Sequence, residues 1–457
     1  MTFNQKSVAY LESELYMSVM LGYEKEQRSL NKEQKQAVGL LSIGTFLEYF
    51  DLMLYVHMAV LLNNLFFPEY DQFTFSLLTA FSFCSTYLLR PIGALMFGYI
   101  GDHFGRKIVV VLTTLLMAIT CVIIGSMPTY AQIGITASWT LTICRIIQGM
   151  SATAEARGAE LYLTENSSPP IQYPLVAIIT VFSAVGTTVA LGIASIFTNH
   201  NIYQHEPSWR IAFFVGATIA FVGTIARTSL KEAEAFSNKK NKLKLRLQEN
   251  NITLEEIDKD IIDQQVPNAT SIWYFFIQCA RPPCFYFVYI YCADILKREF
   301  GFTPYQIINQ NFWVSIIDLL GIIGLAFLSY KIHPLKILKV KLYLFFTSLI
   351  FFPIMLNYNP TPLYIFIFQC LAALFVFDHV PAAPIFYKYF PVFKRFTYTS
   401  MLSAIAKLFT YIITSFGLVY LTNYLGYWGL FLIFIPVGTA FFMGVTYFEK
   451  MEKNQNL

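Results

Sequence analysis

The chain has 457 residues, of which 56% are hydrophobic and 13% charged, with a net charge of +4. Soluble globular domains carry about 25% charged residues, so that class is excluded. The small cation excess falls in short polar segments between apolar runs, which excludes a nucleic-acid-binding surface and leaves topology as its reading. The seven cysteines (Cys84, Cys121, Cys144, Cys279, Cys284, Cys292, Cys370) are scattered without CxxC or metal-ligand spacing. They read as packing residues, and neither a metal nor a cofactor is expected. A loop of the Gly-Lys-Ser/Thr type is missing, so an ATPase is not expected.

Residues 1–35 are polar, lack a signal-peptide pattern and read as a cytoplasmic tail. Within them, Val8 to Leu21 mixes apolar and acidic residues and suits either a membrane surface or a loose tail. Apolar runs long enough to cross a bilayer, about 20 residues each, then recur to the end. Twelve spans are predicted, at roughly 38–63, 73–100, 107–127, 138–161, 172–197, 209–229, 270–292, 306–329, 338–357, 361–386, 398–422 and 427–447. The segment 231–268 is the long polar interruption, rich in Lys, Glu and Asp. This divides the chain into a six-span bundle (36–230), a cytoplasmic linker (231–268), a second six-span bundle (269–448) and a short tail (449–457). The fold class is an all-α membrane protein built as two six-helix bundles, the layout of a two-bundle transporter.

The first span contains Glu48, Asp51 and Tyr55. The two acids are three apart and share a helix face. Two carboxylates that close in a low dielectric do not both ionise cheaply, which makes a proton-binding pair. The alternative is a static ion pair with Arg90 of the second span or Arg145 of the fourth. Between the second and third spans runs Gly98-Tyr99-Ile100-Gly101-Asp102-His103-Phe104-Gly105-Arg106-Lys107. Its glycines permit a sharp reversal. Asp102 suits the positive end of a neighbouring helix, and Arg106 offers a planar fork to a carboxylate. Such a loop either gates between two conformations or only fixes orientation.

Loops after even-numbered spans carry Arg106, Lys107, Arg157, Lys231, Lys239, Lys331, Lys336, Lys339, Lys394 and Arg395. Loops after odd-numbered spans are nearly bare apart from Lys297 and Arg298. Both termini are therefore expected in the cytoplasm. The second half has its own intramembrane polar set, Arg281, Asp318, Asp378, His379 and Lys407, in which cations and anions roughly balance and internal pairing is expected. His379 is expected as a fixed hydrogen-bond partner beside Asp378, with proton coupling as the alternative. Trp139, Trp209, Trp273, Trp313 and Trp428 fall near span ends and read as interfacial anchors, with Trp313 and Tyr55 as alternatives for the cavity wall.

The loop motif, keeping Gly98, Asp102, Gly105, Arg106 and Lys107, resembles the signature of the major facilitator superfamily. Glu48 to Asp51, Arg90-Pro91-Ile92-Gly93, Arg145-Ile146-Ile147-Gln148-Gly149, and Glu155 through Glu165 occur in the right order for its metabolite:proton symporter branch. Trp209-Arg210-Ile211 and Arg227 to Glu232 also fit. His103 replaces a fixed cation, glycines around Glu155 are lost, and the second copy of the motif after the eighth span retains only cations. The resemblance implies a bacterial inner-membrane secondary transporter whose partners are protons, a small-molecule substrate and lipid. Glu48, Asp51 or Glu155 is expected to carry the proton, while Tyr55, Arg90, Arg145 and Gln148 are expected to contact substrate. The substrate class it implies is a zwitterionic osmolyte such as proline or betaine, or else a dicarboxylate or other organic acid. A non-transporting sensor on the same scaffold is the rival reading. An intramembrane enzyme is disfavoured, because no nucleophile–base set accompanies the acids.

Overall fold

The computed structural model describes residues 27–67, 77, 81, 84, 87–104, 106–152, 155–165, 167–197, 209–228, 266–358, 360–390 and 392–455. The tail before Gln27 and the linker up to residue 265 lie outside the described residues. The first half contains α1 (Lys32–Phe66), α2 (Arg90–Phe104), α3 (Arg106–Ser126), α4 (Ile135–Ser151), α5 (Glu155–Glu165), α6 (Gln172–Phe197) and α7 (Trp209–Thr228). The second contains α8 (Asn268–Gln278), α9 (Arg281–Tyr286), α10 (Cys292–Phe300), α11 (Pro304–Lys331), α12 (Pro334–Tyr358), α13 (Pro362–Leu374), α14 (Ala383–Tyr387), α15 (Val392–Leu425) and α16 (Phe431–Gln455). Each predicted span holds described helical residues.

Several helices start earlier than hydropathy places them, because their caps are polar. Asn31 and Gln34 form a capping box ahead of α1, and Thr303 with Gln306 does the same for α11, with Pro304 at its first position. Three expected spans are broken rather than continuous. The fourth breaks between α4 and α5. The seventh breaks at Cys279 and again at a π turn, Phe287–Tyr291, and the tenth breaks between α13 and α14. Irregular backbone survives at membrane depth only where side chains satisfy it. At the π turn, Gln369 Nε2 donates to the Val288 carbonyl at 2.7 Å and Asn311 Nδ2 to the Tyr289 carbonyl at 3.2 Å.

The most extensive packing joins α1 to α6, α6 to α11 and α3 to α7. The α6–α11 contact crosses between the halves, where Thr188 Oγ1 donates to the Ser315 carbonyl at 3.3 Å. Close approach depends on small residues. A Cβ on Gly186 of α6 would lie 2.5 Å from the Phe46 carbonyl oxygen of α1, and one on Gly93 of α2 would lie 2.7 Å from that of Met150. The outer faces carry exposed apolar side chains such as Phe327 (76% exposed) and Ile413 (60%), which suits lipid rather than water. Among the described residues, five stretches are long and apolar enough to cross a bilayer by length and composition. Trp139, Trp313 and Trp428 sit on that outer surface, so Trp313 does not line the cavity. Trp209 differs from the expected anchor: it is buried against Phe66, ring centroids 5.7 Å apart, and is a core residue.

Candidate functional site

The three helix breaks converge on one cavity between the halves, with about 60 Å³ open to water centres. That space holds several waters or part of a small solute. Arg157 and Glu160 follow the break in the fourth span, Gln278 and Arg281 flank the break in the seventh, and His379 lies in the break of the tenth. Broken helices place charged side chains and freed backbone at a midplane site without exposing either to lipid.

Arg157 organises the cavity wall. Its Nη1 donates to Glu160 Oε2 at 2.8 Å, His379 Nε2 at 2.8 Å and the Tyr387 hydroxyl at 2.9 Å. Its Nη2 donates to Gln278 Oε1 at 2.7 Å and Ser403 Oγ at 2.9 Å. The Tyr387 hydroxyl in turn donates to Glu160. Arginine has no acceptor, so His379 Nε2 accepts here and the imidazole is neutral in this arrangement. The network ties the first half to three segments of the second. At the other end of the molecule, Lys297 Nζ meets Asn64 Oδ1 at 3.2 Å and again joins the halves.

Arg157 was counted among the loop cations, and the structure corrects that: it is buried, at 6% exposure, inside the fold. Glu160 was not singled out at all. The signal was present, since the two residues are three apart on one helix face, the same rule that picked out Glu48 and Asp51. His379 is a hydrogen-bond partner, but of Arg157 rather than Asp378. The expected internal pairing holds for Arg281 and Asp378, 2.7 Å apart, with Lys341 also 3.6 Å from Asp378. It does not hold for Lys407, which lines the cavity and makes no hydrogen bond or ion pair among the described residues.

Glu48 and Arg90 line the cavity. Tyr55, Arg145 and Gln148 are brought together elsewhere, in a buried cluster outside its lining. The Arg145 guanidinium lies 3.7 Å from the Tyr55 ring centroid and donates to Gln148 Oε1 at 2.6 Å. Asp51 and Glu155 fall on α1 and α5, but their side chains lie outside the described residues. The same holds for Gly98 and Asp102 on α2 and for Arg106 and Lys107 on α3, while Gly105 lies outside entirely. Among the described lining residues, four basic side chains (Arg90, Arg157, Arg281, Lys407) face two carboxylates (Glu48, Glu160).

The family model described as Major Facilitator Superfamily matches residues 41–404. The chain is 27% identical over 428 residues to the inner membrane metabolite transport protein YhjE of Escherichia coli, covering 90% of this chain and 93% of that one. It is 32% identical over 213 residues to the proline/betaine transporter of Salmonella typhimurium, covering 46% of this chain and 42% of that relative. The chain spans about half the length, or less, of several relatives it matches, the Salmonella protein included. Among solved structures, the proton:xylose symporter XylE superposes with a TM-score of 0.70 at 14% identity, covering 91% of this chain and 95% of that one, a likeness of fold. With the family match running from the first span into the eleventh and the fold agreeing over nearly the whole chain, this protein belongs to the major facilitator superfamily and is a membrane-spanning transporter.

Proposed function

We propose that this transporter is a proton symporter importing a small metabolite that carries a carboxylate, by rocking of the two bundles about the cavity. The observation that carries the reading is Lys407, a cation inside the membrane with no ionic or hydrogen-bond partner among the described residues. Such a charge is costly to hold there, and a substrate carboxylate offsets the cost. Arg90 and Arg281 add forked donors for the same group. Glu48 and Tyr49 of α1 supply a carboxylate and an aromatic face, which suit an ammonium or quaternary amine. A zwitterionic osmolyte of the proline or betaine type fits both ends, and the name of the Salmonella relative supports it. The excess of cations in the lining supports a second reading, a dicarboxylate or other organic acid.

The clustering of cations at one end of the molecule supports cytoplasmic termini in a bacterial inner membrane. The test is uptake by reconstituted protein under an inward proton gradient, with proline, betaine, ectoine, citrate and ketoglutarate as competitors. The zwitterion reading expects accumulation of labelled betaine or proline, abolished by a protonophore and blocked by betaine but not citrate. Block by citrate or ketoglutarate selects the organic acid. Absence of gradient-driven accumulation for every compound overturns symport and leaves the sensor reading.

A further inference from the structure

A second cavity, with about 40 Å³ open to water centres, lies wholly within the second bundle. Four charged side chains line it: Arg281 of α9, Asp318 of α11, Lys341 of α12 and Asp378 after α13. Asp378 engages both cations, Arg281 at 2.7 Å and Lys341 at 3.6 Å, and its Oδ1 also accepts from the Val380 backbone N–H at 3.3 Å. Asp318 is held differently. Among the described residues it makes no ion pair, and its hydrogen bond comes from the Tyr289 hydroxyl of the π turn at 3.5 Å, a long contact. Among the described residues no other charged side chain lines this cavity; α10, which also packs on α11, carries Asp294, Lys297, Arg298 and Glu299 outside its lining. α6, which packs along α11, contains no Asp, Glu, Lys, Arg or His, nor does α13. Glu48, the described acid of α1, faces the first cavity.

We infer that Asp318 is the binding site of the coupling proton, and that Arg281, which lines both cavities, links it to the substrate. The inference rests on the symport reading above. Its physical content is charge balance. With every group ionised, two cations face two carboxylates and the cluster is neutral. A substrate carboxylate entering the first cavity draws on Arg281, the closer partner of Asp378. The second cavity is then left with two carboxylates facing Lys341, and one proton on Asp318 restores neutrality. Linkage is reciprocal, so a proton already on Asp318 tightens substrate binding by the same factor. A proton taken up from outside and released inside as the bundles rock completes symport.

The test uses full-length reconstituted protein. An infrared pH titration without substrate is expected to show a protonated carboxyl band in the parent and in Glu48→Gln that is missing from Asp318→Asn. With betaine as the probe, parental affinity should tighten by up to about tenfold per unit fall in pH, the limit for one linked proton, and Asp318→Asn should lose that dependence. Tyr289→Phe removes the phenol that stabilises the ionised carboxylate and should move the midpoint to higher pH. Survival of the band and of the parental slope in Asp318→Asn overturns the assignment. So does loss of the slope in Glu48→Gln alone, which would put the proton in the first cavity. If Asp318→Asn does not fold, an unmoved midpoint in Tyr289→Phe overturns it instead. A parent that does not bind betaine fails the substrate reading, while the infrared titration still decides Asp318.

Discussion

Arg157 and Lys407 are both cations in one cavity, and their partners predict opposite consequences of removal. Arg157 is engaged by Glu160, His379, Tyr387, Gln278 and Ser403. Removing one member of a buried charge pair strands the other, at about 3–5 kcal/mol. Arg157→Gln and Glu160→Gln should each lower the amount of folded protein, and the double variant should recover part of it, as read by fluorescence-detected size exclusion. A double variant no better than the worse single would mean the two act separately. Lys407 makes no such contacts, so Lys407→Met should fold at parental levels. It should raise the KM for uptake by about ten- to a hundredfold, the factor that loss of a charge-assisted hydrogen bond of ~1.5–3 kcal/mol produces. An unchanged KM would remove Lys407 from the substrate site. The difference between these residues was not legible in the sequence. Lys407 reads as an intramembrane cation and Arg157 as a loop cation, although the predicted fourth span, 138–161, contains it; which of the two finds partners depends on side chains brought in from the other half.

At the level of elements, helix contacts here depend on backbone meeting backbone. Gly186 packs α6 onto α1 with no room for a methyl group, whereas Gly39 on α1 has nothing within 4 Å of the same added atom. Alanine in an open helix position is favoured over glycine by roughly 0.5–1 kcal/mol. Overpacking costs about 1–3 kcal/mol. Gly39→Ala should therefore hold or raise the thermal stability of detergent-solubilised protein, and Gly186→Ala should lower it. Equal effects would show that α1 and α6 separate easily and that their contact contributes little. Hydropathy placed each expected span over described helical residues, because burial in lipid selects for apolar runs. It missed the breaks, because a window of about 20 residues averages over a short polar insert. Local signals were there in Pro282-Pro283 after Arg281, and in Pro381 after Asp378 and His379. Each removes a backbone donor within a span and marks where a helix cannot run straight.

For the whole molecule, the two-half layout was readable from the long polar linker, while the second cavity was not. The linker is a composition signal, but the cavity depends on which faces of α9, α11 and α12 meet, and the residue pattern within each helix does not reveal that. The fold also strengthens the topology argument. Gln27 pairs with the turn before α6, its N–H donating to the Pro169 carbonyl at 2.9 Å, which puts this first described residue at the α5–α6 end. Ion pairs from Lys339 and Lys388 to Glu449 and Glu452 fasten α12 and the end of α14 to the end of α16. Lys331, Lys336, Lys339, Lys388, Lys450 and Lys453 thus gather at one end, against Lys297 and Arg298 at the other. Cations near span ends stay on the cytoplasmic side. Single cysteines give the test, since the native cysteines are buried except Cys279, which is partly so. Tyr358 and Tyr424, 89% and 77% exposed, lie at the cation-poor end. Lys453, with 72% of its side chain exposed, lies at the other. An impermeant maleimide should label Tyr358→Cys and Tyr424→Cys in intact cells, and Lys453→Cys only after permeabilisation. Inverted vesicles should reverse the pattern. Labelling of Lys453→Cys in intact cells would sink the arrangement, since it would put the lysines fastened to Glu449 and Glu452 outside as well.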